Sequence, residues 1–219
     1  MAIIIRTLAE RIFDVIRERI VSGELPVDEP VRQDALATEL GVSKIPLREA
    51  LARLEQDGLL FSHANRGWFV RPMSAQEAEE IYDLRLAIEP PAAARACRLA
   101  TDEDREAVME AFKALDRAAS DNLNAVAKCN REFHTLLVRP CNMMLTRQLI
   151  ERLEILAERY VLAHLEPAGR EDRAHLEHKT LLDVWLARDE EKVRSVLTHH
   201  IGSTLNDLRS HFMMAEAAA

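Results

Sequence analysis

The sequence predicts a mainly α protein: an N-terminal winged helix-turn-helix followed by an all-α helical bundle of six or seven helices. Three observations carry this. Residues 31–71 place two short helical patterns on either side of Gly41 and follow them with two short aromatic strands, the layout of a DNA-reading module. From Ser74 onward, apolar residues recur at helical spacing and no strand alternation appears. Six glycines and eight prolines in 219 residues suit long helices with few turns.

Thr7 to Ser22 reads as the first helix, with Leu8, Ile12, Val15 or Ile16, and Ile20 inward. Gly23 ends it, and Pro26 and Pro30 prevent an immediate restart. Arg32 to Leu40 is a short second helix, Gly41 the turn, and Ser43 the cap of the third. Pro46 sits in the first turn of that helix, where a missing N–H is harmless. Leu47, Ala50, Leu51 and Leu54 form its buried stripe, and Gly58 stops it. Leu59–Phe61 and Gly67–Arg71 read as strands around a tip at 63–67, and Pro72 marks a boundary. The expected domains are therefore 1–72, the DNA-reading part, and 73–219, an all-helical part.

In the second part, Ser74 with Glu77 reads as a capping box. It opens a helix through Ile81, Leu84 and Ile88 that Pro90-Pro91 kinks or divides before it resumes to about Leu99. Thr101–Asp104 opens the next helix. Then come Leu123 to Val138, closed by Pro140; Met144 to about His164, closed by Pro167 and Gly169; Asp172 to Ala187; and Glu190 to His211. Ala215 to Ala219 has no anchor and is expected to fray.

Bulk properties narrow the class. The chain is 48% hydrophobic and 30% charged, an ordinary globular composition. It has no apolar run near the roughly 20 residues of a membrane span. Ile3-Ile4-Ile5 is too short for a signal peptide core. Cys97, Cys129 and Cys141 are odd in number and far apart, fitting neither a disulfide framework nor a cysteine zinc site, so a cytoplasmic location is expected. The net charge is −8; residues 1–72 hold ten Lys/Arg against eleven Asp/Glu, and residues 73–219 hold nineteen against twenty-six. DNA binding must therefore rest on a few well-placed arginines rather than on bulk phosphate attraction.

The first turns of the third helix would enter the major groove. Ser43, Lys44, Ile45 and Arg48 lie there. Lys44 can reach a phosphate or a guanine edge, Arg48 can contact guanine bidentately, and Ile45 offers an apolar contact to a thymine methyl. Arg66 and Gly67 at the wing tip face the minor groove, and Arg32 at the start of the second helix completes the candidate set. A plain cap and solvated arginines are the alternative reading of the same pattern. The segments LGVSKIPLREAL, ARL, QDGLL and NRGWFV resemble the DNA-binding domain of GntR-family bacterial transcription regulators. Lys44 stands where that family usually has arginine and Ile45 where it has threonine, which implies a different operator read in the same docking mode.

Eight histidines are present, and three lie on apolar helical stripes. His134 shares a face with Val126, Ala127, Asn130 and Leu137; His178 with Leu181, Leu182 and Trp185; His200 with Val193, Leu197, Ile201 and Thr204. His175 and His199 fall on polar faces. Three inward imidazoles on separate helices can converge on a divalent metal; each can equally be a hydrogen-bonded core residue. Arg85 with Glu89, NREFH at 130–134, EH at 177–178 and His200 resemble the FCD-type ligand domain of FadR-like GntR regulators. The resemblance implies Asn130, His134, His178 and His200 as metal ligands, with zinc the leading ion and nickel or manganese as alternatives. Asn130 stands where metal-binding members have aspartate. An amide leaves the ion's charge uncompensated, which favours a carboxylate effector, helped by Arg85. A salt bridge to Glu89, one turn away, is the other reading of Arg85.

The expected function is a transcription regulator, a repressor, that binds a palindromic operator as a homodimer and responds to a small carboxylate. The alternatives are a metal-free ligand-responsive regulator and a metal-dependent enzyme. The enzyme reading lacks a motif-placed general base, and catalysis gives the DNA-binding part no role.

Overall fold

The computed structural model describes residues 7–121, 123–165 and 170–218. Ile3-Ile4-Ile5, the expected stop at Pro167 and Gly169, and Ala219 lie outside the described residues. The chain separates into two compact units, Met1–Pro72 and Met73–Ala219.

In the first unit, α1 (Leu8–Val21), α2 (Gln33–Glu39) and α3 (Lys44–Asp57) precede β1 (Leu60–His63) and β2 (Gly67–Val70). Thr7 caps α1 through a reciprocal box with Glu10. Ile12, Phe13, Ile16 and Ile20 are buried on α1, whereas Leu8 and Val15 are exposed. Phe13 is buried among them, and its ring face receives the Arg53 guanidinium of α3 at 4.6 Å. Gly41 (φ +63) makes the turn between α2 and α3, a backbone state that an L side chain rarely adopts.

Ser43 occupies the N-cap position of α3, but its side chain makes no capping hydrogen bond. The position three residues on, which normally donates to a capping hydroxyl, is Pro46, which has no N–H. The sequence expectation of a serine cap thus holds for backbone position and fails for the side chain. Gly58 closes α3 in the left-handed region (φ +92). The hairpin pairs Leu60 with Val70, Phe61 with Phe69, Ser62 with Trp68 and His63 with Gly67. Glu55 of α3 accepts from Ser62 Oγ (2.5 Å) and Trp68 Nε1 (2.7 Å), tying the wing to the helix before it.

In the second unit the described residues form α4 (Ala75–Leu99), α5 (Asp102–Asp121), α6 (Leu123–Val138), a 3-10 turn at Arg139–Cys141, α7 (Met144–Leu165), α8 (Arg170–Leu186) and α9 (Glu190–Ala218). Ser74 caps α4, accepting from the Glu77 amide at 3.1 Å. The box does not close in return, because Glu77 Oε2 accepts from the Tyr160 hydroxyl of α7 instead (2.7 Å). α4 runs unbroken through Pro90 and Pro91. Two ladder bonds are lost there, yet burial of the alanines that follow and a bidentate grip of Arg85 on Glu89 hold the turn. Leu84, expected inside, is 47% exposed, and the inward face of α4 carries Ile81, Tyr82, Arg85 and Glu89. α9 continues to Ala218, past the expected end at His211, in keeping with the high helix propensity of alanine and glutamate. The three cysteines are free thiols. Among the described residues, no helix is long and apolar enough to cross a membrane.

Candidate functional site

The predicted reading head lies on the first turns of α3. Lys44, Ile45 and Arg48 are exposed there while Leu47, Ala50, Leu51 and Leu54 face the core. Ile45 is 72% exposed, a position that core packing does not explain. Lys44 Nζ lies 2.5 Å from Asp34 Oδ1 of α2, so its charge is shared across the turn. Arg32 is exposed at the start of α2 and pairs with Glu29 at 3.2 Å. Arg66 stands at the hairpin tip with its guanidinium 5.4 Å from the Phe69 ring centre. Gly67 serves the turn, with φ +85.

The helical unit brings the other candidates together. His134 of α6, His178 of α8 and His200 of α9 are buried and line one cavity, and Asn130, one turn before His134, lines it too. The ring centres lie 4.5 Å (His178–His200), 5.3 Å (His134–His200) and 5.6 Å (His134–His178) apart. One nitrogen from each lies within 4.8 Å of the others. The cavity holds about 50 Å³ of space for water-sized groups inside a mouth-open envelope of about 700 Å³, enough for an ion and several waters or a small ligand.

A hydrogen bond assigns the nitrogens of His200. His200 Nδ1 lies 2.7 Å from Glu177 Oε2, leaving Nε2 as its ligand atom. Burial works to raise the Glu177 pKa, but the bond to His200 and the nearby Arg173 hold it below the usual value. His134 Nδ1 lies 3.6 Å from Glu89 Oε2 and 3.7 Å from Glu154 Oε1, beyond hydrogen-bonding distance. Its Nε2 is buried without a hydrogen-bond partner. Burial, with Arg85 and His200 nearby, pushes the His134 pKa down to about 4, so the ring is neutral near pH 7. A buried, neutral imidazole with an unused lone pair beside two others is the donor set of a borderline metal ion.

Arg85 lies beside the cavity but is engaged. Its Nε is 2.6 Å from Glu89 Oε1, and its Nη2 is 2.5 Å from Glu154 Oε1. All three side chains are buried. Burial alone favours neutral forms; the charges of Glu154 and Glu89 more than offset this for Arg85, whose pKa is raised. Against the same burial, Arg85 and the contact with His134 hold Glu89 down to about 2. Glu154 is pushed well above the usual carboxylate range by burial and by Glu89.

Sequence reasoning missed Glu154, gave Glu177 only as part of the EH marker with no role of its own, and set His175 aside from the site. Glu154 sits on the stripe Ile150, Ala157, Val161 of α7, and an acid at that spacing was the available signal. His175 was placed on a polar face, yet it borders the cavity, with Nδ1 2.9 Å from Asp116 Oδ1 and its ring 5.7 Å from that of Phe112. Its partner comes from α5, a tertiary contact that local spacing does not carry.

Residues 8–70 match the description "Bacterial regulatory proteins, gntR family", and residues 80–203 match the FCD domain. The chain is 30% identical to the helix-turn-helix transcriptional regulator BphR of Paraburkholderia xenovorans (strain LB400), over 94% of this chain and 86% of that one. It is 29% identical to the transcriptional repressor GlaR of Escherichia coli (strain K12), over 85% of this chain and 89% of that one. In fold it is similar to E. coli McbR/YncC, with a TM-score of 0.78 at 23% identity, covering 95% of this chain and 100% of that one. BphR and GlaR are named as a transcriptional regulator and a transcriptional repressor. The chain belongs to the GntR family of DNA-binding transcription regulators, with an FCD domain as its helical unit.

Proposed function

We propose that the protein is a repressor whose operator binding is set by a small carboxylate bound at a metal ion in the helical unit. The convergence of His134, His178 and His200 in one cavity carries this reading. Their Nε2 atoms, with the Asn130 amide oxygen, would hold a divalent ion, zinc first and nickel or manganese next. All four are neutral donors, so the ion would keep its charge toward the cavity and attract an anion. Of the two sequence readings of Arg85, the salt bridge to Glu89 is the one the contacts support; with Glu154 as a second partner, Arg85 would shape the wall rather than offer an open charge.

At the other end, α3 would dock in the major groove with Arg48 as the principal base-reading side chain. Ser43, whose hydroxyl has no capping bond to make, and Lys44 would contact backbone phosphates, and Ile45 a thymine methyl. Arg66 and Gly67 would approach the minor groove, and Arg32 a phosphate. One recognition helix reads one half-site, so a palindromic operator calls for a homodimer. Leu145 and Leu149, four residues apart on α7 and 70% and 56% exposed, offer an apolar strip for that contact. The effector would act by binding two arrangements of the dimer unequally.

Genome-wide mapping of bound DNA supplies the operator. Fluorescence anisotropy on that operator then tests the reading, with zinc-loaded and chelator-treated protein each titrated with a series of short-chain acids. An acid should change operator affinity in the zinc-loaded protein and not in the chelated one. A neutral sugar acting more strongly than any acid would overturn the reading.

A further inference from the structure

The cavity is lined by the three histidines and Asn130 together with the apolar side chains of Phe112, Leu115, Val126, Val161 and Ile201. Arg85 is the one permanent cation among the described residues that line it, and its Nε and Nη2 are held by Glu89 and Glu154 at 2.6 and 2.5 Å. The acid among the described lining residues is Asp116, whose Oδ1 lies 2.9 Å from His175 Nδ1.

From this geometry we infer that the site selects monocarboxylates with a short branched apolar body and rejects dicarboxylates, with Glu89 and Glu154 as the specificity-determining residues. The inference rests on the carboxylate reading above and adds which carboxylate. One carboxylate is accommodated at the histidines. A second would have to leave water for apolar side chains, or face Asp116, or displace a carboxylate from Arg85. Each of these disfavours the diacid, because a buried charge without a partner is costly. An isopropyl group in the same place loses nothing and buries apolar surface. The role of the two glutamates is occlusion: either single substitution leaves Arg85 one carboxylate partner, and only the double substitution leaves it none.

The test uses the full-length, tag-free, zinc-equilibrated protein and calorimetric titration with an isosteric pair. 4-Methylpentanoate and succinate differ only in an isopropyl group standing for a carboxylate; 4-methylpentanamide is the neutral control. Wild type should bind 4-methylpentanoate about tenfold or more tighter than succinate. Glu89→Gln and Glu154→Gln alone should keep that order, and the double variant should narrow or reverse it. Succinate binding as tightly as 4-methylpentanoate in wild type overturns the selectivity while leaving the carboxylate reading standing. The amide binding as tightly as 4-methylpentanoate, or neither acid binding, overturns the carboxylate reading and the selectivity with it. The wild-type comparison decides the matter even where the double variant does not fold.

Discussion

His200 Nδ1 and Glu177 Oε2 lie 2.7 Å apart, and that contact decides which nitrogen His200 has to offer a ligand. Glu177 is itself braced by Arg173 of the same helix, one turn earlier, at 3.5 Å. A histidine held in this way keeps its proton on Nδ1 and its lone pair on Nε2. Replacing Glu177 with Ala should lower zinc affinity by roughly 10–100-fold, and replacing it with Gln by less, because the amide oxygen still accepts the hydrogen bond. Chelator competition measures the affinity, and nitrogen-15 NMR of the metal-free protein reads the tautomer directly. Equal affinity in all three proteins would contradict the assignment.

Arg48 carries the operator prediction. Arg48→Ala should cost roughly 1–3 kcal/mol against the matched operator, the worth of a bidentate base contact, while leaving metal content unchanged. Lys44 is held by Asp34 at 2.5 Å. Asp34→Ala should therefore release it, raising affinity for all sequences and steepening the salt dependence. Anisotropy with operator and random DNA checks both. An Arg48→Ala protein that still discriminates operator from random DNA as well as wild type would show that the reading head lies elsewhere.

The pH dependence follows from His134. Burial holds its folded pKa at about 4, against 6.5 for an ordinary histidine. Between those values the unfolded chain binds the proton and the folded chain does not. The stability contribution is therefore present above pH 6.5 and is lost as pH falls toward 4. By 1.36 kcal/mol per pKa unit the effect is on the order of 3 kcal/mol. Thermal melts of chelator-treated protein should show His134→Gln with a shallower loss over this window than wild type. Parallel profiles for the two proteins would place the titration on another group.

The fold was largely legible because its signals are local. The glycine turn at Gly41, the left-handed stop at Gly58 and the helical stripes of α3, α5, α6 and α9 lie within a few residues of what they specify. The candidate site was half legible. His134, His178 and His200 each broke an apolar stripe with a polar residue, and three such breaks on three helices point inward together. The carboxylates behind them were not legible in the same way. Leu84 seemed the apolar choice on α4, yet the buried face there is Tyr82, Arg85 and Glu89. Its charges are compensated by Glu154 from a helix 69 positions away. Hydrophobic periodicity misplaces a helix face whose burial is sustained by ion pairing. The Ser43 hydroxyl failed as a cap for a local reason that was readable, since Pro46 stands at the donor position.

The proposed homodimer contact through α7 is open to a separate test. Leu145 and Leu149 are exposed apolar residues one turn apart. Leu145→Glu with Leu149→Glu should leave the helical content intact and shift sedimentation from dimer to monomer, with loss of cooperative operator binding. An unchanged dimer would move the interface to another helix.

The central claim is that the three imidazoles hold a metal ion. Elemental analysis of protein purified without an affinity tag, beside His134→Ala and His200→Ala variants of unchanged helical content, tests it most directly. Stoichiometric divalent metal in wild type and its loss from both variants is the predicted result; equal metal content in all three would contradict it.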